Sequence, residues 1–227
     1  MENYRLEGKT FVIDDYDRLP AFSSFLPGLA GVKGIPMWTF YTNRGQGMNS
    51  FGIDNKGNAI MEFNSANTAF ENTTVKGFRT FLTIDGEYYE PFFKYEDDAK
   101  RQIRMNKNSF KVIERNEKYG IEITVNYYVL PNESIGALVR QVSIKNISGQ
   151  KKNIEIIDGL PKIITYGISN GEFKEMSNLF KSWAYIKNRI WTTKNTVAIR
   201  CFLLPKTHNS IHNHRLVQIP YVIFWKA

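Results

Sequence analysis

The chain is poor in the residues that support redox and metal chemistry. Its 227 residues include one cysteine, Cys201, and three histidines, all of which follow residue 207. A lone cysteine cannot form an internal disulfide, which fits a reducing compartment, so we expect a cytoplasmic protein. The absence of histidine from residues 1–175 also argues against an imidazole acid or base in that part of the chain.

Long apolar runs are missing as well. No stretch approaches the ~18 residues that cross a bilayer, so we expect no membrane partner. The N-terminus has no charged and then apolar leader, so we expect no signal peptide. The composition is 42% hydrophobic and 14% aromatic, which indicates a folded globular core.

Acidic residues end at Glu175. Residues 176–227 contain eight of the 30 Lys and Arg residues, whereas all 22 Asp and Glu residues lie in 1–175 beside the other 22 basic residues. The net charge of +8 therefore belongs to the tail, not to a basic face of the body, and we expect no nucleic-acid partner. Two explanations of the tail are open: a basic segment that binds a partner, or a non-native, possibly frameshifted sequence, which we favour.

Residues 1–165 have the pattern of β-strands joined by short turns. Many segments alternate or are rich in β-branched and aromatic residues, and Asp85-Gly86 is a strong hairpin signal because both residues tolerate positive φ. We predict an all-β fold, a large antiparallel sandwich with mainly sequential pairing. The predicted strands span 10–13, 35–42, 49–53, 60–63, 78–84, 88–93, 109–115, 121–130, 137–146 and 153–158.

The pattern changes near residue 167. Phe173, Met176, Phe180 and Trp183 are spaced i, i+3, i+7 and i+10, which predicts one face of a helix, and Ser169 or Asn170 could cap it. We therefore predict a sandwich domain over 1–166, the start of a short helical linker over 167–185, and an aberrant or disordered basic tail over 186–227.

The segment 22–47 is the best candidate for a binding site. Its second half predicts a strand that enters a polar turn with Arg44 and Gln46 beside aromatic residues. Aromatic faces stack on sugar rings, while arginine and glutamine satisfy hydroxyl groups. Composition alone favours an ordinary core strand that ends in a turn.

Other polar clusters have simpler explanations. Asp14, Asp15 and Asp17 predict a solvated strand end rather than an acid and base pair, and residues 96–104 predict a charged surface segment. His208, His212 and His214 could ligate zinc with Cys201, but no nearby acidic residue or second cysteine completes a defined site, so we expect no metal.

Several segments resemble glycoside hydrolase family 94, the inverting disaccharide and oligosaccharide phosphorylases. The likeness is strongest to 1,2-β-oligoglucan phosphorylases, and cellobiose phosphorylase is more distant. It runs collinearly from about residue 5 to Trp183. The segments are FVIDDYDR (11–18), FSSFLPGLAG (22–31), KGIPMWTFYTNRGQG (33–47), SFGIDNKGNAIMEFNSAN (50–67), KGFRTF (76–81), IIDGLPKIITYG (156–167) and FKEMSNLFKSW (173–183).

This resemblance implies a fold and an activity. Family members begin with a galactose-mutarotase-like β-supersandwich, followed by a helical linker and a catalytic (α/α)6 barrel. The implied reaction is inverting phosphorolysis of β-linked glucooligosaccharides, of the β-1,2-glucan or cellobiose type, to glucose 1-phosphate. Inorganic phosphate is a co-substrate there and no cofactor is implied. The resemblance also implies a homodimer formed through the sandwich.

The family's catalytic acid and phosphate-binding residues lie in the barrel, so we expect this chain to be truncated and inactive alone. Asn43, Arg44 and Gln46 match the family's turn and are expected to form an accessory sugar-contact or interface loop, whereas Trp38 is expected in the core. The alternatives are a free-standing carbohydrate-binding module and a mutarotase-like enzyme.

Overall fold

A computed structural model describes residues 3–94, 98–164, 168–187 and 202–205. The strands are β1 (Tyr4–Glu7), β2 (Thr10–Asp14), β3 (Ser23–Ala30), β4 (Ile35–Thr42), β5 (Met48–Ile53), β6 (Ala59–Met61), β7 (Arg79–Ile84), β8 (Glu87–Tyr89), β9 (Ala99–Met105), β10 (Ser109–Asn116), β11 (Ile121–Val129), β12 (Leu138–Asn146), β13 (Ile154–Gly159), β14 (Ala184–Lys187) and β15 (Phe202–Pro205). The α-helices in these ranges are α1 (Ala66–Lys76) and α2 (Asn170–Trp183), with 3₁₀ turns at Tyr16–Arg18 and Lys56–Asn58.

The strands form antiparallel sheets, three of which share one large core. The large sheet has the order β1-β2-β9-β10-β11-β12, and the smaller ones have the orders β3-β4-β5-β6, β13-β7-β8 and β14-β15. Buried residues of the first three sheets form one apolar cluster, which includes Phe51, Leu82 and Phe110. This arrangement confirms the predicted all-β antiparallel sandwich.

Alternation along the strands explains why they pack this way. On β11, Ile121, Ile123, Val125 and Tyr127 are buried, and the residues between them are partly exposed. A strand with this pattern covers the core with one face and meets solvent with the other. The same alternation on β7 and β10 places the large sheet opposite the smaller ones.

The Asp85-Gly86 turn agrees with the sequence prediction, whereas the pairing order agrees only in part. Asp85 (φ 51°) and Gly86 (φ 92°) connect β7 to β8 as a tight hairpin. Sequential pairing holds from β3 to β6 and from β9 to β12. It is wrong for β2, which pairs with β9, and for β13, which pairs with β7.

The prediction that residues 1–165 contain only β structure is wrong at α1. This helix has a weak amphipathic pattern, ANTAFENTTVK, and buries Ala69 and Thr73 rather than large apolar side chains. Thr73 donates to the Ala69 carbonyl at 2.6 Å and lies 2.9 Å from the Thr42 hydroxyl of β4. Contacts of small and polar side chains thus hold α1 on the sheet. The helix could not be predicted from periodically spaced large apolar residues, because it buries none.

The predicted helix near residue 170 is confirmed as α2. The Ser169 hydroxyl accepts from the Glu172 N–H at 3.2 Å, and the Glu172 carboxylate accepts from the Ser169 N–H at 2.8 Å, which is a capping box. The Asn170 side chain donates to and accepts from the Phe63 backbone, and Phe173 is buried. The side chains of Phe180 and Trp183 lie outside those that the structure describes.

The finer predictions about domains stay predictions. Residue 166 and most of the tail lie outside the described residues, as do Cys201, His208, His212 and His214. The likeness to a galactose-mutarotase-like supersandwich is likewise an expectation from the resemblance.

Candidate functional site

The turn from β4 to β5 contains all three residues for which sugar contact is predicted. Asn43 is only 1% exposed. Its amide donates to the carbonyls of Tyr16 and Pro20, both at 2.9 Å, and its oxygen accepts from the Phe22 N–H at 2.9 Å. Asn43 therefore attaches the segment before β3 to the turn.

Arg44 is half-buried in the same turn. Its guanidinium donates to the carbonyls of Asn43 at 2.7 Å and Leu19 at 3.0 Å, and it lies 4.2 Å from the centre of the Phe70 ring on α1. Burial lowers the pKa of Arg44, and the negative charge of Asp17 partly opposes that change. The side chain thus joins the turn to α1.

Gln46 is buried and connects the turn to two other sheets. Its amide donates to the Thr80 hydroxyl at 2.9 Å, and its oxygen accepts from Arg140 at 2.5 Å. Arg140, which is 2% exposed, also forms an ion pair with Asp158. Asn43 and Gln46 are thus engaged inside the protein, so of the three residues only Arg44 has partial access to a ligand.

The charged segment around residue 101 is not simply a surface segment. Arg101 is 4% exposed and donates to Glu114 and Asp17, each at 2.6 Å. Burial opposes the charge on Arg101, but the two carboxylates and Tyr16 raise its pKa overall. The predicted surface segment is therefore wrong at Arg101, because β9 turns this side chain inward; residues 96 and 97 lie outside the described residues.

The Asp14–Asp17 cluster also differs from a freely solvated strand end. Asp17 is 9% exposed at its side chain and pairs with the buried Arg101. Asp14 accepts from Gln102 at 2.6 Å and pairs with Arg5. These carboxylates belong to ion pairs rather than to a substrate cleft.

A groove lies on the outer face of β3 and β4, at the opposite end of β4 from the turn. Its volume is about 420 Å³. Trp38 forms part of the wall, and the exposed Asp54 stands at the rim, beyond the end of β5. The lining residues are Pro27, Gly28, Leu29, Pro36, Met37, Trp38 and Asp54.

The Trp38 indole is held in place from several sides. It pairs across the sheet with Gly52, where an added Cβ would lie 2.6 Å from the indole, so the absent side chain makes room for the ring. The indole N–H donates to the Asn55 carbonyl at 3.2 Å, and the ring meets the edge of Phe63 at 5.6 Å. Trp38 is half-buried, so the structure agrees only in part with the core position expected from the sequence.

Asp54 is placed by an unusual backbone conformation. Its φ of 57° is left-handed, and its N–H donates to the Pro36 carbonyl at 3.0 Å. Aspartate tolerates this conformation better than most residues. The groove is therefore surrounded by an indole, by apolar proline rings and aliphatic groups, and by one carboxylate. This combination fits a ligand ring that has an apolar face and hydroxyl groups at its edge.

Other kinds of site find little support in the described chain. No group of three His, Cys, Asp or Glu residues among them could hold a metal ion. None of the helices described is long and apolar enough to cross a membrane.

Two comparisons with known proteins give no match. No protein-family model matches the chain, and no curated protein matches it. Support for the candidate site therefore comes from its geometry.

The groove was not predicted from the sequence, although Trp38 was expected in the core. The strand Ile35–Thr42 is where the sequence predicts it, but the strand alone does not say which residue lies opposite Trp38. The pairing of Trp38 with Gly52 and the position of Asp54 depend on the register between β4 and β5, which has an irregularity near Tyr41.

Proposed function

We propose that this sandwich is a non-catalytic carbohydrate-binding domain. The observation that carries the proposal is the groove in which the fixed Trp38 indole faces the same space as Asp54. The resemblance to family 94 suggests the ligand class, β-linked glucooligosaccharides of the β-1,2 or cellobiose type. In that setting the domain would bring substrate to a phosphorylase that releases glucose 1-phosphate.

The lining of the groove supports a sugar more than a charged or wholly apolar ligand. Proline, leucine and tryptophan groups offer surface for the C–H face of a pyranose, while the carboxylate can accept hydrogen bonds from two hydroxyls. Phe25, which is 51% exposed and meets Trp38 at 6.3 Å, extends the aromatic surface beyond the groove. An open, shallow site of this kind favours weak binding of an oligosaccharide along its length rather than enclosure of one sugar ring.

A binding role also agrees with the distribution of carboxylates. Asp54 is the one carboxylate among the groove residues, and it is exposed. General acid catalysis by a carboxyl group at neutral pH needs a pKa raised by burial or by a neighbouring charge. Other carboxylates described above, those of Asp17, Glu114 and Asp158, are engaged with buried arginines.

The proposal is tested by titrating the ¹⁵N-labelled full chain with β-1,2-glucooligosaccharides, and in parallel with cellooligosaccharides, while amide and indole resonances are recorded. We expect dissociation constants of the order of 1 mM, or about −4 kcal/mol. Shifts should centre on the Trp38 indole N–H and the amides near Asp54. Asp54→Asn should weaken binding by about fivefold to tenfold, because hydrogen bonds to a charged carboxylate are replaced by weaker ones to a neutral amide.

Asp54→Asn is the preferred variant because asparagine also tolerates positive φ, whereas Trp38→Ala would disturb the contacts with Gly52 and Phe63. The matched control is Tyr88→Ala, which removes an aromatic side chain 63% exposed on another sheet and should leave affinity unchanged. No shifts at 10-fold the expected constant would contradict carbohydrate binding. Shifts confined to the neighbourhood of Arg44 would contradict the groove and favour the β4–β5 turn.

A further inference from the structure

The outer face of the large sheet carries an excess of positive charge that the balanced composition of residues 1–175 does not reveal. On β10, Phe110, Val112 and Glu114 are buried. Lys111 and Arg115 alternate with them along the strand, so they face away from the core. The same alternation and the strand register assign the outward residues of the neighbouring strands. The outward cations are Arg5, Lys100, Arg104, Lys111, Arg115 and Lys145, and the outward carboxylates are Glu7, Asp14 and Glu122.

Two cross-strand pairs on this face place a cation opposite a cation. In the register of β9 and β10, Lys100 lies opposite Arg115. Arg104 lies opposite Lys111 in the same way. Like charges directly opposite each other destabilise a sheet. An anion held between the two cations of each pair would remove this repulsion.

The lysine of each pair keeps its charge available to a ligand. Both arginines already have a carboxylate partner, at 2.5 Å (Glu7) and at 2.7 Å (Glu117). The ion pairs of the described residues include neither Lys100 nor Lys111. Lys100 is exposed and Lys111 is half-buried, so solvent reaches both side chains.

The spacing of the two pairs fits an extended peptide. The pairs are four residues apart along β9, from Lys100 to Arg104, which is about 14 Å at the rise of an antiparallel strand. A peptide in the same extended conformation places its residues i and i+4 on one side at the same separation. Gln102 and Ile113 lie opposite each other midway between the pairs, so an uncharged residue i+2 would lie over them.

A peptide fits this face better than other polyanions do. The side chains midway between the pairs, Gln102 and Ile113, offer no aromatic platform on which the bases of a single-stranded nucleic acid could stack. Membrane surfaces are bound through apolar side chains that enter them, whereas Ile113 is half-buried in the sheet. Peptide carboxylates need only the paired cations, to which they form charge-assisted hydrogen bonds.

We propose that the outer face of β9 and β10 binds an extended acidic segment of a partner protein, with Asp or Glu at positions i and i+4 and an uncharged residue at i+2. One carboxylate lies between Lys100 and Arg115. The other lies between Arg104 and Lys111. This surface belongs to a different sheet from the groove on β3 and β4, so the proposal goes beyond carbohydrate binding and does not depend on it.

The proposal is tested by titrating the ¹⁵N-labelled full chain with two blocked peptides of equal composition. Acetyl-Glu-Ser-Thr-Ser-Glu-amide has its carboxylates at i and i+4, whereas acetyl-Glu-Glu-Ser-Thr-Ser-amide has them adjacent. The first peptide should shift the amides of β9 and β10 with a dissociation constant of the order of 1 mM. The second should bind there about fivefold more weakly, because it reaches one pair only. Equal binding of the two peptides at this face overturns the proposal, and so do shifts confined to the basic segment after Glu175.

Lys100→Gln and Lys111→Gln should each weaken binding of the first peptide about threefold, because each removes one cation of a pair. Each variant also removes a repulsion, so both should unfold at a slightly higher urea concentration than the wild type, which separates lost binding from a lost fold. Lys174→Gln is the matched control, since it makes the same charge change at an exposed lysine of α2 and should leave affinity unchanged. Affinity that both sheet variants retain, or that the control loses equally, overturns the proposal.

A thymidine trinucleotide with two phosphodiester groups has the same net charge as the peptides and tests the other class of partner. Weaker binding of the trinucleotide than of the first peptide at β9 and β10 supports the peptide. Tighter binding there would make this face a nucleic-acid surface and would overturn the proposal.

Discussion

At Gly47 the protein has room for a hydrogen atom and for nothing larger. Its φ of +80° is left-handed, and an added Cβ would lie 2.3 Å from the Phe110 ring in the core. The turn that follows β4 can therefore pass directly over Phe110, which brings Gln46 to Thr80 and Arg140. Glycine is required here by both the backbone and the neighbouring ring.

Gly47→Ala should be among the more destabilising single changes. Strain from positive φ and the clash with Phe110 together should lower the free energy of unfolding by roughly 3 kcal/mol. Gly8→Ala is the matched control, since Gly8 has a φ of +61° but nothing within 4 Å of an added Cβ, and we expect about 1 kcal/mol there. Urea unfolding of both variants measures the difference, and equal losses would show that Phe110 moves aside easily.

Elements were predictable where the local pattern was strong. The strand Ile35–Thr42 and the Asp85-Gly86 hairpin follow from β-rich runs and turn residues, and the helix α2 follows from apolar spacing and its cap. β3 was missed because Pro27 and Gly28 interrupt it, and β9 because its sequence, AKRQIRM, is mostly charged and polar. Such strands owe their place to neighbours far along the chain, which local propensity does not contain.

The capping box of α2 should respond to acid. Hydrogen bonds from Ser169, first that from its backbone N–H, hold the pKa of Glu172 below its ordinary value of 4.5. A carboxyl whose folded pKa is lowered stabilises the fold above its unfolded pKa, and that stabilisation is lost as pH falls through the folded pKa. The first turn of α2 should therefore lose protection against amide exchange between about pH 5 and pH 3.

Glu172→Gln should make the protection of this first turn independent of pH, because glutamine also accepts the Ser169 N–H but carries no titrating group. Glu175→Gln is the matched control, since Glu175 is exposed later in the same helix, and it should keep the wild-type dependence. If Glu172→Gln retained the acid response, another group would be responsible for it.

Across the whole molecule, buried polar groups connect the sheets that the apolar core holds together. Arg140 on β12 pairs with Asp158 on β13 and donates to Gln46 in the β4–β5 turn, so one side chain joins three sheets. The sequence indicated a sandwich from its strands, but it could not show that Gln46 faces inward. The inward position of Gln46 depends on Arg140, which is 94 positions away along the chain. Long-range packing also decides that Trp38 rather than Arg44 borders a groove.

The buried tyrosines of this core should make the whole fold sensitive to alkali. Burial raises the pKa of Tyr127 to about 12 against the opposing charge of Arg140, and it raises the pKa of Tyr16 well above 10.0. Because the unfolded chain releases these protons first, stability should fall as pH rises above 10, by roughly 3 kcal/mol up to pH 12 from Tyr127 alone. Urea unfolding at successive alkaline pH values should give a shallower decline for Tyr127→Phe than for the wild type. Tyr128→Phe, on the other face of β11, should decline as the wild type does, and parallel declines for all three proteins would contradict a role of Tyr127.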